Sequence, residues 1–337
     1  MRGMVLQQPR PVEKAPLALR EIPVPEPGPS ELRVRVSCCG LCHTDLHTVE
    51  GDLTLPKLPL VPGHQIVGVV DALGSSVRNL KEGDRVGIPW LHATDGTCRF
   101  CANEQENLCE RAQFTGLHCD GGYAEYATAR AGFTFPIPKR FSDQHASPLL
   151  CAGIIGYRAF RLSGAKRGDR LGLYGFGASA HLVLQFAAYL GCELWVFSRS
   201  SEHRDLAIKL GASHAGKAEE APSDSLDAAI IFAPAGELVP QALRALRKAG
   251  TLALAGITMT QIPAFDYSLL YQERVLRSVA NSSRRDGEEF LDLAADVPLR
   301  TEVQCFELEE ANQALQALKA SKIPGAGVLK VGSGDRF

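Results

Sequence analysis

Between Cys38 and His47 the chain gathers thiols, imidazoles, a hydroxyl and a carboxylate in the run CCGLCHTDLH. His64 lies twenty-two residues after Cys42, inside GHQIVG, and Cys151 comes much later, inside LLCAG. Two thiolates and one imidazole neutralise Zn2+ and leave its fourth position for water or a substrate oxygen, which is the donor set of a catalytic zinc site. Each of these residues is weak testimony alone, because a single cysteine or histidine is more often a packing or surface residue. A second group is stronger on spacing. Cys98, Cys101 and Cys109 share a compact polar loop, with Asp95 three residues before the first of them. Three thiols so close among charged residues suit a closed structural zinc site, which orders a loop that has no hydrophobic core.

A third constellation concerns a nucleotide. Gly175, Gly177 and Ala180 stand in GFGASA, between a run that reads as a strand and one that reads as a helix. That context turns a common glycine pattern into a dinucleotide-binding turn. The first glycine makes the tight turn, the second lets pyrophosphate approach the helix N-terminus, and the third position accepts alanine because it serves helix packing. An acidic residue at the end of the next strand would grip the ribose hydroxyls of NAD. Here Ser198 stands at that place, with Arg199 next and Arg204 nearby. Without the carboxylate, and with a guanidinium able to fork onto a 2′-phosphate, NADP is expected over NAD. The competing reading of Arg199 is a solvated surface residue.

These groups need elements to hold them. The first 150 residues read as β-rich, with short apolar or alternating runs (Leu32 to Val36, Ile66 to Val70, Arg85 to Ile88) between Pro, Gly and Asp-Gly turns. From about Arg167 strand and helix patterns alternate: RLGLYGF, ASAHLVLQFAAYLG, ELWVFSR, HRDLAIKLGA, LDAAIIFAP, PQALRALRKAG, TLALAGI. Parallel strands require helical crossovers, so this rhythm predicts an α/β fold with a doubly wound parallel sheet. After about Ser282 the βα rhythm breaks down. A length of 337 residues favours two domains. The charged fraction of 22% and a formal net charge of -2, with no block of like charge, argue against nucleic acid or a membrane surface as partner. No apolar run approaches the roughly 18 residues of a membrane span, and the start has no signal-peptide core, so a cytoplasmic location is expected. Ten cysteines in such a chain read as metal ligands or packing thiols rather than disulfides.

CHTDLH (42 to 47), GD (51 to 52), LPLVPGH (58 to 64), GDRVG (83 to 87), the cysteine loop, GGYAEY (121 to 126) and CAG (151 to 153) occur in order along essentially the whole chain. Together they resemble the zinc-containing alcohol dehydrogenases of the medium-chain dehydrogenase/reductase superfamily, nearest to the short yeast-type and bacterial members. The resemblance implies a GroES-like catalytic domain over residues 1–150, completed by 283–337, and a Rossmann domain over 151–282. It implies that Cys42, His64 and Cys151 hold the catalytic zinc, that Thr44 and His47 relay a proton, and that Asp45 supports a zinc-bound imidazole. His43 would lie near the cofactor pyrophosphate. Turn chemistry or a helix cap is the competing reading for Thr44 and Asp45. Leu53 and Trp90 would line the substrate channel, and Leu53, where yeast-type enzymes carry tryptophan, should admit medium-chain or aromatic primary alcohols and aldehydes. The competing reading makes Leu53 an ordinary apolar loop residue. Two zinc ions per chain and a homo-oligomer, taken as a tetramer, complete the expectation.

Two departures from the family pattern stand out. Gln65 replaces a glutamate after the zinc-binding histidine. Asp95 occupies the first of four structural cysteine positions, so coordination by Asp95, Cys98, Cys101 and Cys109 is expected, with His92, His118 or Cys119 as substitutes if the loop bends differently. Polyol or secondary-alcohol oxidation on the same scaffold, with NAD, is the nearest rival function. A non-catalytic zinc- and nucleotide-binding relative is the more distant one.

Overall fold

The computed structural model describes residues 1–332, so the last five residues of the expected 283–337 segment lie outside the described residues. One unit comprises Met1–Cys151, Ser283–Leu291 and the chain from Arg300; the other comprises Ala152–Ser282 and Asp292–Leu299.

The first unit opens with antiparallel β1 (Arg2–Leu6) and β2 (Leu17–Glu21). β3 (Glu31–Leu41) buries Leu32, Val34 and Val36 while the residues between them stay partly or fully exposed. That period of two is how a strand lays one face on a core. Helix α1 (His43–Glu50) follows, then β4 (Gln65–Leu73), β5 (Arg85–Ile88), β6 (Leu91–Ala93), α2 (Arg99–Ala102), β7 (Gln113–Phe114), β8 (Tyr126–Arg130), β9 (Phe135–Pro136) and α3 (Asp143–Ala146). The three short runs read as strands from the sequence all lie within β3, β4 and β5.

The second unit carries α4 (Ala152–Ser163), β10 (Arg170–Tyr174), α5 (Ala178–Tyr189), β11 (Glu193–Phe197), α6 (Ser201–Lys209), β12 (His214–Gly216), β13 (Leu226–Ile231), α7 (Leu238–Ala245), β14 (Leu246–Leu254) and β15 (Val275–Ser278). Its six strands lie in the order β12-β11-β10-β13-β14-β15, and every neighbouring pair is parallel. This is the doubly wound order in which the chain starts at the centre, runs to one edge, and returns to build the other half. Leu171, Leu173, Ala229, Ile230 and Ile231 are wholly buried, the near-continuous apolar content of strands covered on both faces.

Helix α8 (Arg284–Asp296) follows, and β16 (Val303–Glu307), α9 (Ala311–Lys319) and β17 (Ala326–Lys330) end the described chain. β17 pairs antiparallel with β3, which gives the larger sheet of the first unit the order β16-β17-β3-β4-β5-β9, with β8 also on β3. The C-terminal segment is thus bonded into the same sheet as β3, the strand that leads to Cys42. Among the described residues no helix is long and apolar enough to cross a membrane.

One element differs from its sequence pattern. The helical run expected from Pro240 to Gly250 stops at Ala245, and Leu246 already pairs with Leu226 of β13. Arg247, Lys248 and Ala249 then bulge outward, Ala249 with φ 60°, before Thr251 resumes pairing opposite Ala228. Pairing with β13 and burial of Leu246 outweigh a helical propensity that amounts to a few tenths of a kcal/mol per residue, roughly.

Candidate metal centres and cofactor turn

Cys42 sits between β3 and α1 as the N-cap of the helix, and its sulfur accepts the Thr44 N–H at 3.4 Å. Asp45, third residue of the helix and 2% exposed, returns the favour: its Oδ2 accepts the Cys42 N–H at 2.8 Å. Its other oxygen, Oδ1, is 3.0 Å from His64 Nδ1. A carboxylate only accepts, so His64 donates from Nδ1 and turns Nε2 toward Cys42 Sγ, 3.5 Å away. One buried carboxylate therefore caps the helix that presents the first ligand and orients the second. Cys151 Sγ lies 3.9 Å from Cys42 Sγ, and the three ligand atoms are all within 4.8 Å of one another.

The donor set fits zinc. Tetrahedral bonds of about 2.3 Å to sulfur and 2.05 Å to nitrogen give edges of about 3.8 Å between sulfurs and about 3.6 Å between sulfur and nitrogen. Protonation equilibria point the same way. The Cys151 S–H bond holds Cys42 well below the ordinary thiol range, against burial and with help from His64, while that same bond and burial push Cys151 up. Burial opposes a charge on His64, yet Asp45 and Cys42 hold its pKa at about 10. A dication supplies the positive charge that these protons otherwise carry.

Around this triad the Trp90 ring meets His64 edge-on, centroids 4.9 Å apart, and stacks on Phe114 at 5.0 Å. Gln65 is 2% exposed; its backbone carbonyl accepts the Ser147 hydroxyl at 2.6 Å, and its Nε2 has no partner among the described residues. A neutral amide thus stands beside His64 in place of a carboxylate. Thr44 is half-buried and His43 exposed, both on the first turn of α1, and Leu53 is half-buried just beyond its end. His47 is paired with Asp52, its Nδ1 2.7 Å from Oδ2. In the sequence Asp52 entered only as part of the GD motif and was given no role. The available signal was a carboxylate directly after Gly51, the glycine that ends α1.

In the cysteine loop, Asp95, Cys98, Cys101 and Cys109 bring one ligand atom each within 4.8 Å of the others. His92, His118 and Cys119 are outside that group; Phe114 N–H donates to His118 Nδ1, and His92 is buried with its Nδ1 unpartnered among the described residues. The loop builds the site with its own amides. Thr97 and Cys98 N–H both donate to Asp95 Oδ1 at 2.9 Å, which holds its carboxyl well below the usual range. The N–H groups of Asp95 and Arg111 approach Cys109 Sγ at 3.5 and 3.4 Å. Cys98 and Cys101 sulfurs are 3.6 Å apart. Three thiolates and a deprotonated carboxylate form a closed zinc donor set. Glu106, buried in the same loop, accepts the Arg284 backbone N–H at 2.9 Å, so the loop also caps the start of α8.

At the nucleotide turn β10 ends at Tyr174, where the sheet order reverses between β11 and β13. Gly175 has φ 86°, and a Cβ there would lie 2.9 Å from Ala233 N, so only glycine suits both the turn and the approach. Gly177 is the N-cap of α5, and a Cβ added to it would meet nothing within 4 Å. That free space in front of a helix N-terminus is what a pyrophosphate needs. Ala180 is wholly buried, as a packing position should be. At the end of β11 Ser198 is half-buried and Arg199 exposed. Arg204 spends Nη1 on the carbonyls of Ser198 and Arg199, at 2.8 and 2.9 Å, and so braces this loop.

Comparison with known proteins identifies two family domains in the chain. Residues 28–139 match the alcohol dehydrogenase GroES-like domain, and residues 180–296 match the zinc-binding dehydrogenase family. The probable alcohol dehydrogenase AdhA of Mycobacterium tuberculosis is 45% identical over 98% of this chain and 97% of its own. An alcohol dehydrogenase of Geobacillus stearothermophilus is 37% identical over 98% of this chain and 100% of its own. Among solved structures, a cinnamyl alcohol dehydrogenase from Sorghum bicolor superposes with a TM-score of 0.89 at 26% identity, covering 99% of this chain and 98% of that one.

Proposed function

The chain belongs to the zinc-dependent alcohol dehydrogenases of the medium-chain dehydrogenase/reductase superfamily, and on that premise we propose that it interconverts medium-chain or aromatic primary alcohols and their aldehydes with NADP(H). The observation that carries the cofactor preference is the end of β11, where an uncharged Ser198 and an exposed Arg199 replace the acidic residue that would bond a free ribose 2′-hydroxyl. Arg204 steadies the carbonyls on either side of that arginine, which preorganises the loop for a 2′-phosphate. For the substrate, the support is Leu53 in a place where tryptophan would narrow the channel, together with the Trp90 ring, which meets His64 edge-on.

Cys42, His64 and Cys151 would hold the zinc, which would supply a Lewis acid for the substrate oxygen, and a bound nicotinamide would supply the donor or acceptor of hydride. The chain does the rest. Asp45 keeps His64 in one tautomer and Cys42 in register. Gly175 and Gly177 make room for pyrophosphate at the N-terminus of α5. The Thr44 hydroxyl accepts the proton released on alcohol oxidation as it gives up its own hydrogen, and His47, as the base at the outer end of the path, takes that hydrogen up and passes it to solvent. Asp95, Cys98, Cys101 and Cys109 would hold a second zinc, which would order their loop.

The test measures zinc per chain together with benzaldehyde reduction in parallel with NADPH and NADH, then oxidation of ethanol, hexanol and benzyl alcohol. Two zinc ions, faster turnover with NADPH, and good activity on the larger alcohols support the reading. A preference for NADH overturns the cofactor assignment, and good turnover of ethanol alone overturns the substrate assignment.

A further inference from the structure

Between Cys101 and Cys109 the cysteine loop carries two carboxylates that point away from the metal donors. Glu104 has φ 57°, and Glu106 opens the short helical turn Glu106–Leu108 that leads into Cys109. Glu106 is 5% exposed, and its Oε1 accepts both the Arg284 backbone N–H at 2.9 Å and the Arg284 Nε–H at 3.3 Å. Glu104 Oε2 accepts from Arg285 Nη1 at 3.0 Å. Both acceptors thus reach the first two residues of α8. The rest of that turn is seated by other means. The Ser283 N–H donates to the Asp286 carboxylate, and the Asp286 N–H to the Ser283 hydroxyl. Gly287 is buried where a Cβ would run into the Phe135 ring, and the Arg284 guanidinium lies 5.0 Å from the centroid of Phe133. The helix begins in the first unit, to which Ser283–Leu291 belongs, and runs on into the second from Asp292.

We propose that the loop is a metal-operated clamp on the start of α8: zinc held by Asp95, Cys98, Cys101 and Cys109 keeps Glu106 on the Arg284 N–H, and loss of the ion releases it. The inference rests on the reading of those four residues as a zinc site. Glu106 lies five residues after Cys101 and three before Cys109, so its place is fixed from both sides while the two sulfurs share an ion. Without the ion the donors repel one another or take up protons, and the segment between them is free to open. Opening lets water solvate the Glu106 carboxylate. The Arg284 N–H is then left without an acceptor, because a first-turn amide has none in its own helix. Glu104 and Arg285 are both exposed, and an exposed pair adds little, so Glu106 transmits the change.

Hydrogen exchange read by mass spectrometry on the full-length, zinc-loaded protein tests this without turnover. The loop ion is removed with a chelator and, separately, by the double substitution Asp95→Ala with Cys98→Ala. Total zinc, with alkylation of the remaining loop cysteines and of Cys42 and Cys151, shows which ion has left. On loss of the loop ion, peptides from residues 283–291 should exchange about tenfold faster, the size expected when a hydrogen bond to a charged group is lost, while peptides from β17 stay unchanged. Glu106→Ala removes no ligand, so it should keep two zinc ions and yet show the fast exchange already. Taking the loop ion from that variant should add less than about twofold, because both changes act on one contact. Glu106→Gln keeps a carbonyl acceptor and should recover part of the protection. If residues 283–291 stay protected after the loop ion has gone, or exchange at the wild-type rate in Glu106→Ala, the clamp falls and the zinc site stands. If the wild-type chain takes up no second zinc, both fall together.

Discussion

Replacing Asp45 by asparagine removes one oxygen from a side chain that uses both. The carboxylate accepts from Cys42 N–H and from His64 Nδ1 at a position 2% exposed. Asparagine presents one acceptor and one donor, so one of those two N–H groups must face an NH2. A buried donor left unpaired costs about 1–3 kcal/mol. If the amide oxygen turns to Cys42, the cap survives and His64 loses its orienting partner, which lowers metal affinity by about 10- to 100-fold. If it turns to His64, the cap is lost at about 1 kcal/mol and Cys42 moves with the frayed turn. Either orientation weakens the same zinc site, so Asp45→Asn should release one of the two zinc ions to a chelator at concentrations about 30-fold below those needed for the wild type, within that range. The assay is competition with a chromogenic chelator, with total metal by mass spectrometry and a thermal melt on the same sample. Zinc affinity within threefold of wild type, with an unchanged melt, would refute the idea that one carboxylate serves both ligands.

Asp95→Ala should reduce the zinc content from two ions to one and lower thermal stability while zinc remains at Cys42, His64 and Cys151; retention of two ions would show that Asp95 is not a ligand. Gly177→Ala should fold with a wild-type melt, because its Cβ meets open space, yet bind NADPH at least about tenfold more weakly by fluorescence titration if pyrophosphate uses that space. Gly175→Ala, at φ 86° and against Ala233, should instead lower the melt itself by at least about 1 kcal/mol of stability. Glu125 accepts the Arg2 backbone N–H at 2.8 Å, with the Arg2 side chain beside it, and its carboxyl is held below the usual range. Its contribution is therefore complete above the unfolded-state value near about 4.3 and is lost as pH falls through the lower folded value. Glu125→Gln should flatten the acid limb of stability below about pH 5 by less than about 1 kcal/mol, since the group is partly solvated; an unchanged limb in urea titrations from pH 3 to 7 would contradict this.

How much of this was readable from the residues depended on distance along the chain. The cysteine loop and the Cys42 to Asp45 turn are local, and their spacing carries their geometry. Gly175, Gly177 and Ala180 were readable because each answers a separate steric demand of a strand-to-helix turn. Cys151 was different: nothing local marks it as the partner of Cys42, and only the resemblance of the whole motif series named it. β12 and β15 escaped notice because three- and four-residue strands leave too few positions to show a period. The end of α7 was misread since Leu246 fits a helical stripe as well as a strand, and only the distant β13 decides between them. Arg204 was recognisable as a cation near the end of β11, but its bonds to two carbonyls depend on the turn into α6. Asp52 required knowing that α1 stops at Gly51 and sends the next side chain backward.

The spread of the catalytic ligands along the chain bears on how the protein folds. His64 is 22 residues from Cys42, and Cys151 is 109 residues away. A metal bridging these side chains acts as a reversible cross-link, and what it withdraws from the denatured chain is loop entropy. Closing the longer loop costs about 1.4 kcal/mol more than closing the shorter one, since the cost grows with the logarithm of length. Cys42 and His64 can thus meet early, steadied by Asp45 from within one helical turn, while Cys151 joins only after β4, β5 and the cysteine loop have been threaded between them. Ion capture by the first two ligands during synthesis would leave an open pair exposed to competing thiols until residue 151 arrives, so the late ligand sets the order in which this chain can safely acquire its metal.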